Sequence, residues 1–139
     1  MIVLDTNVLS AIMQDRPDTA VARWLDRQPE QSVWTTSVSV YELRFGIEIL
    51  VAGRKRRKLE DDLGNLLEGD LEGRILPFDR SAADAAGVIG AEQLQRGRPV
   101  EIRDVQIAGI VATRKASLAT RNVRHFAGMR LTLVDPWSA

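Results

Sequence analysis

Short apolar segments alternate with longer amphipathic segments along the whole chain. The short segments are rich in strand-forming residues and lie at residues 2–4, 32–36, 74–78, 116–120 and 131–134. Apolar runs of this length, bounded by turn residues, are typical of buried strands. Because segments with helical spacing separate them, the pattern predicts an α/β domain built on a parallel sheet.

The intervening segments carry apolar residues at helical spacing and polar residues suited to capping. Thr6 or Asn7 can cap the first predicted helix. Ser37 or Ser39 can cap the third, which is apolar on two faces, while the fourth carries a leucine face at 59–67. We expect these faces of the third and fourth helices to be partly covered by other chains. The predicted helices span 6–13, 18–29, 37–52, 54–68, 81–95 and 101–115.

Composition limits the kinds of protein this can be. The 139 residues are 45% hydrophobic and 27% charged, which predicts one globular domain over 1–139. The chain has no cysteine and only one histidine, so thiolate chemistry and a histidine-rich metal site are excluded. No apolar run approaches the ~20 residues of a membrane span, and no basic leader precedes the first strand. We therefore expect a cytoplasmic location and no membrane partner.

Charge is unevenly distributed although the net charge is zero. Residues 1–95 carry a net charge of −5 and residues 96–139 a net charge of +5, and a basic run lies at 54–58. Binding to a polyanion depends on local rather than total charge. Neutrality therefore does not exclude a nucleic-acid partner.

Several polar residues occupy positions where chemistry is expected. Ligands of parallel sheets bind beyond the carboxyl ends of the strands, and Asp5 and Asn122 directly follow the first and fourth predicted strands. Glu42 interrupts a largely apolar helix, and Asp104 lies on the apolar stripe of another. Each has a structural alternative, because acids also cap helices and asparagine is common in turns. For His125 a structural role is the more economical interpretation.

Taken together, the three acids and the amide favour a metal site. Carboxylates that converge in a partly buried cleft repel one another unless a cation neutralises them. Ligands that are all oxygen suit Mg²⁺ or Mn²⁺. Such ions activate water and hold phosphate oxygens for in-line attack. The pattern thus predicts metal-dependent hydrolysis of a phosphate ester.

Five segments of the chain resemble the PIN-domain ribonucleases, specifically the VapC-type toxins of bacterial toxin–antitoxin modules. They are residues 2–8, 36–47, 104–108, 119–126 and 135–137, in the order and spacing of that family. The resemblance implies a three-layer α/β/α sandwich with a five-stranded parallel sheet of order 3-2-1-4-5. It also implies a Mg²⁺- or Mn²⁺-dependent endoribonuclease that forms a homodimer and a hetero-oligomer with a cognate antitoxin.

The resemblance also assigns individual residues. Asp5, Glu42 and Asp104 match the acidic triad of the family and would hold the metal. Asn122 stands at a fourth catalytic position that is often Asp in the family. Two further residues match positions that support the first Asp, and two arginines near the expected crevice are candidates to bind RNA; these are Thr6, Asn7, Arg121 and Arg124.

Two other function classes remain open from the sequence. A haloacid-dehalogenase-like phosphatase also places an Asp after its first strand, but it expects a second Asp where this chain has Asn7. A non-catalytic binding module, PIN-like or similar to a response receiver, is the second. A receiver expects an acid after the third strand, where Asp79 could serve, and a lysine after the fifth, which is missing here.

Overall fold

A five-stranded parallel sheet forms the centre of the structure, a computed structural model that describes residues 1–139. The strands are β1 (Ile2–Leu4), β2 (Val33–Thr36), β3 (Ile75–Leu76), β4 (Ser117–Ala119) and β5 (Thr132–Val134). Their order in the sheet is β3-β2-β1-β4-β5, and every neighbouring pair is parallel. The predicted strand order is therefore confirmed.

Six α-helices and three irregular helical turns connect the strands. The turns are a 3₁₀ turn at Glu30–Ser32, a π-helical segment at Asn65–Asp70 and a 3₁₀ turn at Val123–Phe126. None of the helices is both long and apolar enough to cross a bilayer. The α-helices are α1 (Thr6–Ile12), α2 (Thr19–Asp26), α3 (Ser37–Glu48), α4 (Arg54–Gly64), α5 (Arg80–Gln95) and α6 (Ile102–Thr113).

Helices cover both faces of the sheet, as the three-layer prediction requires. Successive strand residues point to opposite faces, so Val3 joins the core beneath α5 and α6, whereas Leu4 joins the core beneath α1 and α2. Helices α5 and α6 pack very closely. A Cβ added at Gly109 would lie 2.3 Å from the carbonyl oxygen of Ala82, so only glycine fits this crossing.

Several helix ends differ from the prediction. The N-caps of α1 and α3 are the residues that end the preceding strands, Asp5 and Thr36, because their side chains accept backbone N–H bonds from the first turns. Helix α3 ends at Glu48 rather than near residue 52. The guanidinium of Arg56 contacts the Glu48 carboxylate and the carbonyl of Leu50, which fixes a turn at this point.

The expectation that other chains cover the leucine face at 59–67 is only partly correct. Leu63 and Leu66 are buried by the chain itself, so they offer no surface to another chain. The second apolar face of α3 does remain uncovered: Tyr41 and Phe45 are 57% and 52% exposed. Of the two faces that we expected other chains to cover, the face on α3 is thus the one that stays exposed.

Candidate active site

Asp5 lies at the centre of a polar crevice where the chain order of the sheet reverses. It follows β1, directly beside the end of β4, and is 5% exposed. Its Oδ1 accepts the backbone N–H of Thr6 at 2.8 Å, and its Oδ2 accepts the hydroxyl of Thr120 at 2.7 Å. The structure gives this buried carboxylate no lysine or arginine partner, which is the situation in which a bound cation is most favourable.

A compact hydrogen-bonded group joins the ends of β1 and β4. Asn7 donates through Nδ2 to Asp5 Oδ2 at 3.4 Å and to Thr120 Oγ1 at 3.3 Å, and its Oδ1 accepts the backbone N–H of Arg121. Thr120 Oγ1 also accepts the backbone N–H of Asn122 at 3.0 Å. These bonds fix the orientation of Asp5 before any ligand arrives.

Glu42 reaches the crevice from α3. Its Oε1 accepts the hydroxyl of Thr6 at 2.9 Å, and the Oγ of Ser39 lies 2.9 Å from the same hydroxyl. Its Oε2 lies 3.6 Å from Nη1 of Arg103. Because Ser39 is already inside α3, the capping-box interpretation of Glu42 is excluded.

Asp104 enters from the first turn of α6. Its own backbone N–H is capped by Glu101, so its side chain is not needed as a cap. Its Oδ2 lies 3.3 Å from Nδ1 of His125, which gives that histidine a partner that the sequence did not indicate. Asp104 therefore contacts one basic side chain, His125, whereas Glu42 has a long ion pair with Arg103 besides the bond from Thr6.

The acids influence one another, and all three have raised pKa values. Burial raises the pKa of Asp5 and of Glu42, against the hydrogen bonds that Thr120 and Thr6 donate to them. The pKa of Asp104 is raised to about 6, first by burial and then by the nearby carboxylates of Glu101 and Asp5. The crevice is thus a site of concentrated negative charge that favours protons or cations.

The donor set of the crevice fits a hard divalent cation. Its candidate ligands are carboxylate oxygens, and Mg²⁺ and Mn²⁺ prefer such donors. As the side chains stand, no three His, Asp or Glu residues are close enough together to hold one ion. Glu42 and Asp104 are only partly buried, so their side chains have room to change rotamer.

The raised pKa of Asp104 predicts a pH dependence of metal-free stability. Its folded value of about 6 exceeds the unfolded 3.8, so this carboxyl favours folding at low pH, and the contribution is lost as pH rises through 6. Asp104→Asn should therefore stabilise the protein relative to wild type by about 1–2 kcal/mol at pH 7.5, and by much less at pH 4.5. Urea titrations in EDTA measure this difference, and a variant that is less stable at pH 7.5 would contradict the electrostatic account.

The other candidate site residues lie in different surroundings at this edge of the sheet. Asn122 is exposed at the same edge, and its side-chain amide makes no hydrogen bond within the chain. Arg121 stacks over the ring of Trp137 at 4.8 Å, whereas Arg124 lines a cavity together with Asp104. The structure thus distinguishes two arginines that the sequence could only treat alike.

Sequence reasoning missed three side chains that contact the acids or the groups bonded to them. Thr120 and Ser39 are fully buried and bond to the groups around Asp5 and Glu42, while Arg103 pairs with Glu42. The position of Thr120 directly after a predicted strand was the one available signal. The other two depend on contacts between helices that spacing alone does not reveal.

Comparison with known proteins identifies the family. The PIN domain family matches residues 2–129 of the chain. The "VapC ribonuclease Y4jK" of Sinorhizobium fredii is 34% identical over 99% of this chain and 98% of its own length. The "Toxin FitB" of Neisseria gonorrhoeae is 31% identical over 99% of each chain.

Solved structures agree with the sequence comparison. The crystal structure of FitAcB from Neisseria gonorrhoeae superposes with a TM-score of 0.91 at 31% identity and covers all of both chains. The DNA-bound VapBC of Salmonella typhimurium superposes with a TM-score of 0.77 at 26% identity over 97% of both chains. On the sequence match and the shared fold, the chain belongs to the PIN-domain family.

Proposed function

We propose that this PIN-domain protein is a divalent-cation-dependent endoribonuclease and the toxin of a toxin–antitoxin module. The observation that carries the proposal is the arrangement of Asp5, Glu42 and Asp104 around the crevice where β1 meets β4, where burial raises the pKa of all three carboxyls. Relatives named as a VapC ribonuclease and as a tRNA(fMet)-specific endonuclease support RNA as the substrate. Solved complexes of VapBC and FitAB support an antitoxin partner.

In this proposal Asp5, Glu42 and Asp104 hold Mg²⁺ or Mn²⁺, and the chain's own residues set the geometry. A bound ion of this kind supplies an activated water and neutralises phosphate charge. Asp5 is the fixed ligand because Thr120 and Thr6 hold both of its oxygens. We assign the free amide of Asn122 to orienting a water or a neighbouring carboxylate.

The negative charge of the crevice favours binding of a phosphate only when a cation is bound there. Three carboxylates repel the RNA backbone, so the metal-free protein should bind RNA weakly at this point. Arg103 lies on the Glu42 side and Arg124 on the Asp104 side, and either can contact a phosphate beyond the acids. A strand crossing the crevice would thus meet a cationic group on each side of the cut.

The proposed chemistry predicts the ends of the RNA products. Direct attack of water on phosphorus leaves a 5′-phosphate and a 3′-hydroxyl, whereas attack by the RNA's own 2′-hydroxyl leaves a 2′,3′-cyclic phosphate. We expect only the first kind of end, in Mg²⁺ or Mn²⁺ but not in EDTA. Mass spectrometry of the cleaved oligonucleotides measures this, and cyclic phosphate products would rule out the mechanism.

Hydrolysis of RNA and of p-nitrophenyl phosphate, measured side by side, separates the proposed function from the two alternatives. A haloacid-dehalogenase-like phosphatase would hydrolyse p-nitrophenyl phosphate faster than RNA, and a binding module would hydrolyse neither. We expect cleavage of RNA alone. The structure adds one argument against a receiver, because Asp79 caps α5 through the backbone N–H of Ala82.

The exposed face of α3 supports a homodimer. Tyr41, Phe45 and Ile49 are spaced about one turn apart along α3 and its C-cap, and all three are more than half exposed. Exposed apolar patches of this kind mark protein contacts. We expect the wild-type protein to be a dimer at micromolar concentration without antitoxin.

Phe45→Glu should convert this dimer to a monomer, because the patch would have to bury a charge. Val88→Glu is the matched control, since Val88 is a 60% exposed apolar residue on α5, away from the patch. Light scattering coupled to gel filtration measures both. A wild-type monomer, or a dimer that survives Phe45→Glu, would refute this interface.

A further inference from the structure

A cavity of about 510 Å³ opens beside Asp104, on the side of the crevice away from Glu42. It lies between the end of α5, the loop at 96–101 and the turn that follows β4. Its size falls in the range of sites that bind small molecules. The mechanism proposed above uses only its rim, at Asp104 and Arg124, and leaves the interior without a role.

Gln93, on the wall of this cavity, is an anomaly. It is 2% exposed, and its side-chain nitrogen Nε2 has no hydrogen-bond partner anywhere in the structure. Buried polar groups are nearly always paired, since leaving one unpaired destabilises the fold. An apolar residue of the same size would pack here without that penalty. A partner outside the chain would account for the unpaired nitrogen, and it would reach Nε2 once the Gln93 side chain turns towards the cavity that it lines.

The wall around Gln93 is rigidly built. The backbone carbonyl of Gln93 accepts the N–H of Arg98 at 2.9 Å, and Nη1 of Arg98 donates to the carbonyl of Ala127 at 2.6 Å. A Cβ on Gly128, whose φ is +82°, would lie 2.0 Å from that nitrogen, so glycine is required there. Arg96 adds a bond to the carbonyl of Gly128 at 3.3 Å.

Arg98 thus bridges two loops and holds a fixed positive charge at the cavity. A guanidinium has five N–H donors, and the structure gives Arg98 no other side-chain bond or ion pair. Arg124 and His125 line the same cavity nearer to Asp104. Pro99, Val100 and Met129 supply an apolar surface. The cavity therefore combines cationic groups, a flat apolar wall and one unpaired amide.

We propose that this cavity binds one nucleobase of the RNA beside the scissile phosphate, and that Gln93 determines which base is preferred. Single-stranded RNA is recognised by bases splayed into pockets and bonded along their edges. A glutamine amide offers the donor–acceptor pair that reads such an edge, and the base faces would pack on Pro99 and Met129. Arg98 and Arg124 would hold the adjoining phosphates. The proposal rests on the proposed endoribonuclease function.

The test compares Gln93→Met with the matched control Gln95→Met, an exposed glutamine on the same helix. Cleavage rates are measured on RNAs that carry each of the four bases at the positions flanking the cut. We expect wild type to prefer one base at one flanking position by about tenfold, in keeping with one paired base edge. Gln93→Met should reduce this preference to within about threefold and melt no lower than wild type. Gln95→Met should change none of these.

A second measurement tests nucleotide binding in the cavity independently of RNA cleavage. The side-chain amide protons of Gln93, assigned by their loss in Gln93→Met, are followed by NMR while each of the four ribonucleoside 5′-monophosphates is added without metal. We expect one nucleotide to shift them more than the others. If wild type cleaves no RNA, the proposed function fails, and this titration alone decides on the cavity. Unshifted amide protons, an unchanged base preference in Gln93→Met, or an equal loss on all four RNAs with a lower melting temperature would overturn the base-binding role.

Discussion

Asp5→Asn and Asp104→Asn should each lower RNA cleavage by at least about 100-fold while the metal-free protein melts at the same or a higher temperature. In the metal-free protein the acids repel one another, so neutralising either relieves that repulsion. The same change removes an anionic ligand for the proposed ion. The gain in stability and the loss of activity therefore have one cause.

Asparagine is the informative replacement because it preserves capping. Asp5 is the N-cap of α1, and Asn caps a helix as well as Asp does, so a loss of activity cannot be attributed to an uncapped helix. Asp84→Asn, at an exposed acid of α5, is the control and should change neither activity nor the melting temperature by a measurable amount. Thermal melts in EDTA and RNA assays in Mg²⁺ provide both readouts. Full activity of both active-site variants would end the metal-site hypothesis.

Thr120→Val is expected to impair both the fold and the reaction. Thr120 is fully buried, donates to Asp5 and accepts the backbone N–H of Asn122. Valine leaves that N–H without this acceptor and leaves Asp5 Oδ2 with only the 3.4 Å bond from Asn7. We expect a loss of about 1–3 kcal/mol in the free energy of unfolding. Since groups that orient a metal ligand typically contribute 10- to 100-fold, activity at a temperature where the variant is folded should fall by about that factor.

A matched control separates orientation of Asp5 from general destabilisation. Thr35 is equally buried in the sheet, but its hydroxyl donates to the carbonyl of Leu4, outside the acidic crevice. Thr35→Val should lose stability and keep activity once the protein is folded, whereas Thr120→Ser should restore the activity that Thr120→Val loses. Urea titrations and cleavage rates measure these effects. Equal activity losses in Thr35→Val and Thr120→Val would contradict the role given to Thr120.

Local patterns in the sequence were sufficient for the architecture. Short β-branched and leucine runs such as residues 2–4 and 116–120 locate the strands, because a strand buried on both faces must be apolar throughout. The family resemblance supplied the strand order, and the family assignment is confirmed. Strand ends and apolar helix faces had already pointed to Asp5, Glu42 and Asp104, and the resemblance assigned them catalytic and metal-binding roles that stay predictions.

Contacts between distant segments limited what the sequence could reveal. Ser39 was weighed only as a cap, whereas it lies inside α3 and contacts Thr6, 33 residues earlier. The partner of His125 is Asp104, on a different helix, so its role was invisible to spacing. The end of α3 depends on Arg56, which reaches back across a turn. In each case a side chain contacts a residue of another element, and only the fold defines how the two elements are placed.

Asp5, Glu42 and Asp104 together form the proposed binding site for a divalent cation. Isothermal titration calorimetry with Mn²⁺ at pH 7.5 measures that binding without any RNA substrate. We expect saturable binding by wild type, binding weakened by tenfold or more in both Asp5→Asn and Asp104→Asn, and unchanged binding in Asp84→Asn. Equal affinity in wild type and both active-site variants, or no binding by wild type, would contradict the proposed site.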